Sequence, residues 1–286
     1  MLIAASGFFL IAAASSGAGT DNSGKIKAYG GTKEVFDEKN APGIDDNADA
    51  LKGNQGKPPA PGPTVDKWAV VIGISNYQGA GNDLVYCDDD AQDMYNYLIA
   101  KGYPSSNIKL LKDTKATAKA IISAIDWMNT NEKKTTSECV FFYSGHGSTY
   151  DGYNDGDDEY TDEAIVSTDL YLILDGQLKQ KFFTFTSQKI AFIFDSCFSG
   201  GMNDLAKAGR VVVAACAESE YSWDGTAQQQ NGVFTFFFMQ GLNTFNNVEN
   251  AFSYAAPLAS AFVFDNYGKV IMTPAIVDNY ANYWAF

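Results

Sequence analysis

Apolar runs of strand length alternate with segments of helical periodicity from about residue 67 to the end of the chain. The predicted strands are 67–75, 107–113, 138–144, 189–196 and 210–216. The predicted helices are 88–102, 175–183, 232–242 and one that Thr114 or Thr117 caps, with Ile121, Ile125 and Met128 on its apolar face. Strands that are apolar on both faces and alternate with helices indicate an α/β fold with a mostly parallel sheet covered on both sides.

Three regions follow from composition along the chain. Residues 1–14 are an apolar run followed by small residues, which is typical of a signal peptide, although no Lys or Arg precedes it. We therefore expect a secreted, periplasmic or cell-surface protein, or a cytoplasmic one if this segment is not a signal. Residues 15–64 have the polar and proline-rich composition of a disordered propeptide or linker. A single compact domain is expected over 65–286.

Charge and cysteine content restrict the partners and metal sites that the protein can have. The 34 acidic and 20 basic residues give a net charge of −14, which argues against nucleic acid or an anionic membrane surface as a partner. This balance suits a cationic substrate or a divalent metal, or it reflects a solvated surface alone. Cys139 and Cys216 fall in apolar runs, and one histidine with no CxxC pair excludes a typical zinc cluster, so free thiols are expected.

Two predicted strands end in candidate chemistry. One runs into Ser144-Gly145-His146-Gly147, and another into Asp195-Ser196-Cys197. Neighbouring parallel strands would bring both ends to one edge of the sheet. A thiol becomes nucleophilic when a nearby imidazole takes its proton, so Cys197 is the candidate nucleophile and His146 the base. The amides of Gly147 and Cys197 are candidate donors to an oxyanion.

At these residues the sequence resembles a known family. The segments YSGHG (143–147) and DSCFSG (195–200) resemble the paired signatures of metacaspases and their prokaryotic relatives, and the resemblance extends from about Lys67 to the end. It implies a caspase-like fold and a cysteine endopeptidase that cuts protein or peptide substrates after Arg or Lys. A monomer is expected. The segment 202–210 is too short for a cleavable linker between subunits, so one uncut chain is expected.

The resemblance also implies a binding pocket for the basic side chain. Asp90 and Asp195 match the acids of the family's pocket, and Cys87 and Ser144 match positions that line it. Carboxylates in such a pocket would pair with the cation of the substrate. Asp90 could instead stabilise a helix N-terminus, and Asp195 could tie down the loop of the nucleophile.

Calcium is a further implication of the resemblance. The family's calcium acids correspond to Asp162, Asp175 and Asp204, but Gly176 stands where a second acid is usual. Losing an oxygen ligand should weaken Ca²⁺ binding. The acidic stretch 151–163 is equally well explained as a solvated loop. No cofactor is required for the thiol chemistry itself.

Other interpretations remain open at the level of sequence. Specificity for Asp or Asn is one, although a pocket for Asp should present arginines and Arg210 is the only one. A silent peptide-binding module is another, in which Tyr77, Tyr221 and Trp223 could line a groove, although core positions suit most of them better. A peptidase could also remove its own N-terminal region. The candidate cleavage sites are Lys25, Lys27, Lys33, Lys39, Lys52 and Lys57.

Overall fold

The structure is a computed structural model that describes residues 66–79, 81–151 and 160–286, together with the backbone of the short strand Lys27–Ala28. The predictions for residues 1–14, for nearly all of 15–64 and for the acidic loop 152–159 lie outside the described residues. The strands are β1 (Lys27–Ala28), β2 (Lys67–Gly73), β3 (Ile108–Lys112), β4 (Glu138–Ser144), β5 (Gly147–Asp151), β6 (Thr161–Val166), β7 (Tyr171–Leu174), β8 (Ile190–Asp195), β9 (Arg210–Ala214) and β10 (Ala275–Asp278). The helices are α1 (Cys87–Ala100), α2 (Ala118–Asn131), α3 (Asp175–Phe183), α4 (Val233–Phe245) and α5 (Val248–Asn266).

The main sheet has six strands in the order β10-β9-β8-β4-β2-β3. The five strands from β9 to β3 are parallel, and β10 runs antiparallel at one edge. A smaller sheet has the order β1-β7-β6-β5, with β5, β6 and β7 antiparallel to their neighbours among these three. This mixed, mostly parallel arrangement confirms the predicted α/β fold.

Each face of the main sheet carries its own core. Alternate residues of β2 divide between the two, because successive side chains of a strand point to opposite faces. Val71 packs with residues of α1, α4 and α5, whereas Val70 and Ile72 pack with α2, α3 and the smaller sheet. All seven residues of β4 are buried, which explains its continuous apolar sequence.

Most element predictions for the main sheet and its helices are confirmed, with ends that shift by a few residues. Thr117 rather than Thr114 caps α2, because its side chain accepts a hydrogen bond from the amide of Ala120 at 3.2 Å. The sequence did not predict the smaller sheet, α5 or the edge strand β10. No helix in the described part of the chain is long and apolar enough to cross a membrane.

Candidate active site

Two adjacent strand ends form the site. β4 and β8 pair in parallel with Ser144 opposite Asp195, so the residues that follow each strand emerge side by side. His146 and Cys197 both line one small cavity, of about 40 Å³, at this edge. The prediction that the two strand ends share one edge of the sheet is therefore confirmed.

The imidazole of His146 is held by groups of the loop after β2. Its Nε2 lies 2.7 Å from the carbonyl oxygen of Asn82, and its ring lies against Tyr77 with centroids 4.7 Å apart. A carbonyl oxygen only accepts, so Nε2 carries the proton of the neutral ring and Nδ1 carries the lone pair. Burial lowers the pKa of His146, which keeps the imidazole neutral and able to accept a proton at neutral pH.

The thiol of Cys197 is protonated in this arrangement. Its Sγ lies 3.7 Å from the carbonyl oxygen of Ser222. Burial raises the pKa of Cys197 to about 11, and the nearby carboxylate of Asp195 acts in the same direction. A thiol in such surroundings needs a base to become a nucleophile.

The two glycines beside His146 have a steric role as well as exposed amides. A Cβ on Gly147 would collide with the backbone carbonyl of Cys197, so the two loops approach each other at backbone contact distance. A Cβ on Gly145 would lie 2.6 Å from the phenol oxygen of Tyr77 and 2.7 Å from that of Tyr143. Only glycine therefore allows the close approach at both positions.

Asp195 is the predicted pocket acid that lines the cavity directly. It is 5% exposed, and its Oδ2 accepts hydrogen bonds from the amide (2.9 Å) and hydroxyl (2.7 Å) of Thr235 in the first turn of α4. Its Oδ1 accepts from the hydroxyl of Ser222 at 2.5 Å. Burial raises the pKa of Asp195 despite these bonds, because a carboxylate loses its hydration there.

Asp90 lies behind the cavity wall. It is fully buried, and its Oδ2 accepts a hydrogen bond from Ser144 at 2.7 Å while its Oδ1 accepts from the amide of Gly232 at 3.0 Å. Ser144 and Cys87 line the cavity as predicted positions. Burial and the charge of Asp195 raise the pKa of Asp90, so the two carboxylates destabilise each other's ionised form.

Asp224 is a third carboxylate at the cavity, and sequence reasoning missed it. It accepts a hydrogen bond from the amide of Val85 at 3.2 Å, and burial followed by the charge of Asp195 raises its pKa. Its loop, 217–225, has no helical or strand periodicity to mark it. No Lys or Arg is among the residues that line the cavity in the described part of the chain. The cavity is thus an acidic site whose carboxylates lack a basic side chain from the wall.

Comparison with known proteins identifies the family of this chain. A model of the caspase domain family matches residues 66–259, about two thirds of the chain. The chain belongs to the caspase domain family. The crystal structure of a protein from Geobacter sulfurreducens shares the fold of this caspase domain with a TM-score of 0.58 and 17% identity, over 76% of this chain and 94% of that one.

Curated relatives are metacaspases from several lineages. Metacaspase-1 of Candida albicans is 33% identical over 49% of this chain and 34% of its own length. Metacaspase-6 of Arabidopsis thaliana is 35% identical over 49% of this chain and 40% of its own length. Metacaspase-2 of Trypanosoma brucei brucei is 30% identical over 56% and 49%. The chain therefore spans between about a third and a half of the length of these relatives.

The three predicted calcium acids of this caspase domain lie on elements that contact one another. Asp162 is on β6, Asp175 begins α3, and Asp204 is in the 3-10 helix Ser199–Leu205. Asp162 and Asp175 are fully buried, and the carboxylate of Asp204 forms an ion pair with Lys179. Within the described ranges no group of three or more His, Cys, Asp or Glu is arranged to hold a metal ion. Weak Ca²⁺ binding at these acids stays a prediction.

The remaining predicted residues divide between core and surface. All four cysteines are free, which confirms that prediction, and Cys139 and Cys216 are fully buried. Tyr77 is buried against His146 rather than lining a peptide groove. Trp223 lines the cavity, and Tyr221, two residues before it, is 40% exposed.

Proposed function

We propose that this caspase domain is a cysteine endopeptidase that hydrolyses peptide bonds after Arg or Lys. One observation carries the proposal: a thiol and a neutral imidazole line the same cavity as carboxylates that no basic side chain of the cavity wall neutralises. The thiol and the imidazole carry out the bond cleavage. The carboxylates select a substrate with a cationic side chain.

The chemistry begins with transfer of the Cys197 thiol proton to Nδ1 of His146. The thiolate attacks the carbonyl carbon of the scissile bond, and a C–S bond forms as the carbonyl oxygen gains charge. The amides of Gly147 and Cys197 are the proposed donors to that oxygen. His146 then protonates the leaving amine as the C–N bond breaks, and water attacks the thioester to release the acid and the thiol. These steps need no cofactor.

Specificity follows from the charge of the site. Asp195 and Asp224 line the cavity, and Asp90 stands behind Ser144. Burial and mutual repulsion disfavour their ionised forms, and a guanidinium or ammonium group in the cavity would relieve both effects. An acidic side chain would add to the repulsion, which argues against specificity for Asp.

Fluorogenic peptides that end in Arg, Lys, Asp or Asn test this proposal. Turnover of the Arg or Lys peptides that disappears in Cys197→Ala is the expected result. The Cys139→Ala variant is the matched control, because it loses a buried thiol on β4 away from the cavity. No turnover of any peptide, together with retained binding of the Arg peptide, would instead favour a silent binding module.

Self-removal of the N-terminal region is a second part of the proposal. The bond after Lys27 lies within β1, which pairs with β7, so the lysines that follow at 33, 39, 52 and 57 are the preferred sites. Mass spectrometry of wild type and Cys197→Ala tests it, since identical N-termini in both would contradict it. Export and the monomeric state stay predictions.

A further inference from the structure

The peptide unit of His146 is bound on both sides by phenol groups. The amide of His146 donates a hydrogen bond to the hydroxyl of Tyr77 at 2.7 Å. The hydroxyl of Tyr143 donates to the carbonyl oxygen of the same residue, also at 2.7 Å, and that oxygen accepts a second bond from the amide of Val166 at 3.0 Å. The two phenol oxygens lie 3.4 Å apart. Both polar groups of this one residue are therefore held by tyrosines from different elements.

The hydrogen bonds among these three residues can form a closed ring. An amide only donates, so Tyr77 is the acceptor from His146, which leaves its own proton free to point at the hydroxyl of Tyr143. Tyr143 then uses its single proton on the carbonyl oxygen of His146, although the carbonyl of Val166 at 2.8 Å competes for it. Burial raises the pKa of both phenols, so both stay neutral and able to donate.

Tyr77 comes from a loop that is itself anchored. The amides of Ser75 and Asn76 both donate to a carboxylate oxygen of Asp113 at 2.9 Å. The amide of Tyr77 donates to Asp83 at 2.9 Å. The same loop provides the carbonyl of Asn82 that accepts from the imidazole. The loop thus contacts the backbone, the ring face and the ring nitrogen of His146.

We propose that Tyr77 and Tyr143 are positioning residues that clamp the His146 peptide and thereby fix where the base stands relative to Cys197. We call this pair the phenol clamp. Gly145 is independent support, because any side chain there would occupy the space of both phenol oxygens. The role in catalysis rests on the proposed peptidase function, whereas the placement of His146 does not.

The test uses Tyr77→Phe, Tyr143→Phe and the double variant, each of which keeps the ring and removes one or both hydroxyls. Tyr97→Phe is the matched control, because Tyr97 is a buried tyrosine of α1 whose hydroxyl bonds to the carbonyl of Leu242, outside the cavity lining. Tyr77→Phe should lower kcat by about tenfold with little change in KM, because it leaves the amide of His146 without its hydrogen-bond partner. Tyr143→Phe should lower kcat by less, because the carbonyl oxygen of His146 keeps its bond from the amide of Val166. The double variant should lose about as much as Tyr77→Phe alone, since that one missing bond already opens the ring.

A second measurement is independent of peptidase activity. His146 is the only histidine in the chain, so its imidazole gives a single NMR signal to titrate. Burial should place the wild-type midpoint below the ordinary value of about 6.5, against the opposing charge of Asp83. The clamp variants should move the midpoint toward that value as water reaches the ring, while Tyr97→Phe should leave it in place.

The outcomes separate the two proposals. Unchanged kcat and midpoint in Tyr77→Phe and Tyr143→Phe would overturn the clamp, and so would an equal loss of kcat in Tyr97→Phe. Should Tyr143→Phe not fold, Tyr77→Phe alone decides between these results. A shifted midpoint in a protein that cleaves no peptide would support the clamp and reject the peptidase. Cleavage of Arg peptides with no shift of the midpoint in either clamp variant would reject the clamp alone.

Discussion

Replacing Asp195 with Asn tests how the cavity selects a cation. The side chain is 5% exposed and lines the cavity, so it would meet a substrate guanidinium away from bulk water. Losing one partner of such a charge pair costs about 2–5 kcal/mol, which corresponds to a fall in kcat/KM of about 30- to 5,000-fold. Asp224 and Asp90 keep part of the field, so we expect about a hundredfold, toward the lower end of that range.

The assay compares two peptides that differ only at the residue before the scissile bond, with Arg in one and its neutral isostere citrulline in the other. The variant should lose kcat/KM on the Arg peptide and keep its value on the citrulline peptide. Glu132→Gln is the matched control, because it also neutralises a buried carboxylate. Glu132 precedes β4 and accepts hydrogen bonds from the amides of Thr186 and Ser187, outside the cavity lining. Its kcat/KM should equal that of wild type on both peptides.

Urea unfolding at neutral pH distinguishes lost charge from lost structure. A carboxyl whose folded pKa is raised stabilises the fold only at low pH, and that contribution is lost as the pH rises through the folded pKa. At pH 7, removing the Asp195 charge should therefore not lower the free energy of unfolding through electrostatics. Equal losses of kcat/KM on both peptides would refute the selection role and leave Asp195 as a residue that supports the nucleophile loop.

Three further predictions concern the thiol, the glycines and calcium. Alkylation of Cys197 by iodoacetamide should rise about tenfold per pH unit from neutral pH toward 11, because burial raises its pKa to about 11; a plateau below pH 8 would show a thiolate already paired with imidazolium. Gly147→Ala should lower kcat, because its Cβ would push against the carbonyl of Cys197; wild-type kinetics in this variant would contradict the close approach. Calcium binding measured by calorimetry should be weak, with a Kd of about a millimolar, and Lys179→Ala should tighten it by releasing Asp204, whereas the control Lys181→Ala should not.

The sequence predicted the parts of the fold whose signal is local. β2, β4 and β8 are apolar on both faces because each is buried on both sides of the main sheet. The smaller sheet was missed because its strands are short: β5 is only partly buried and has no apolar run, and the apolar run of β7 is only four residues long. In α5, Pro257 interrupts a helical pattern and reduces the signal further.

The residues of the candidate site also differ in how far the sequence alone predicts them. His146 and Cys197 could be predicted because each follows a recognisable strand, and parallel pairing then sets their proximity. Asp224 could not, because it reaches the cavity through an irregular loop whose path depends on tertiary contacts such as the bond from Val233 to the carbonyl of Trp223. Tyr77 reads from sequence as a core aromatic, and only the structure shows its hydroxyl on the His146 amide.

The pairing of β4 with β8 has a consequence for how this protein can vary. The register of the sheet, with Ser144 opposite Asp195, sets the distance between base and nucleophile, and the 51 residues that separate them in the chain do not. Insertions or deletions in the β5–β6 connection would leave this register unchanged. A one-residue insertion within β4 would move His146 by about 3.3 Å and turn its neighbours to the opposite face. Changes of length should therefore be tolerated in the β5–β6 connection and excluded within β4 and β8.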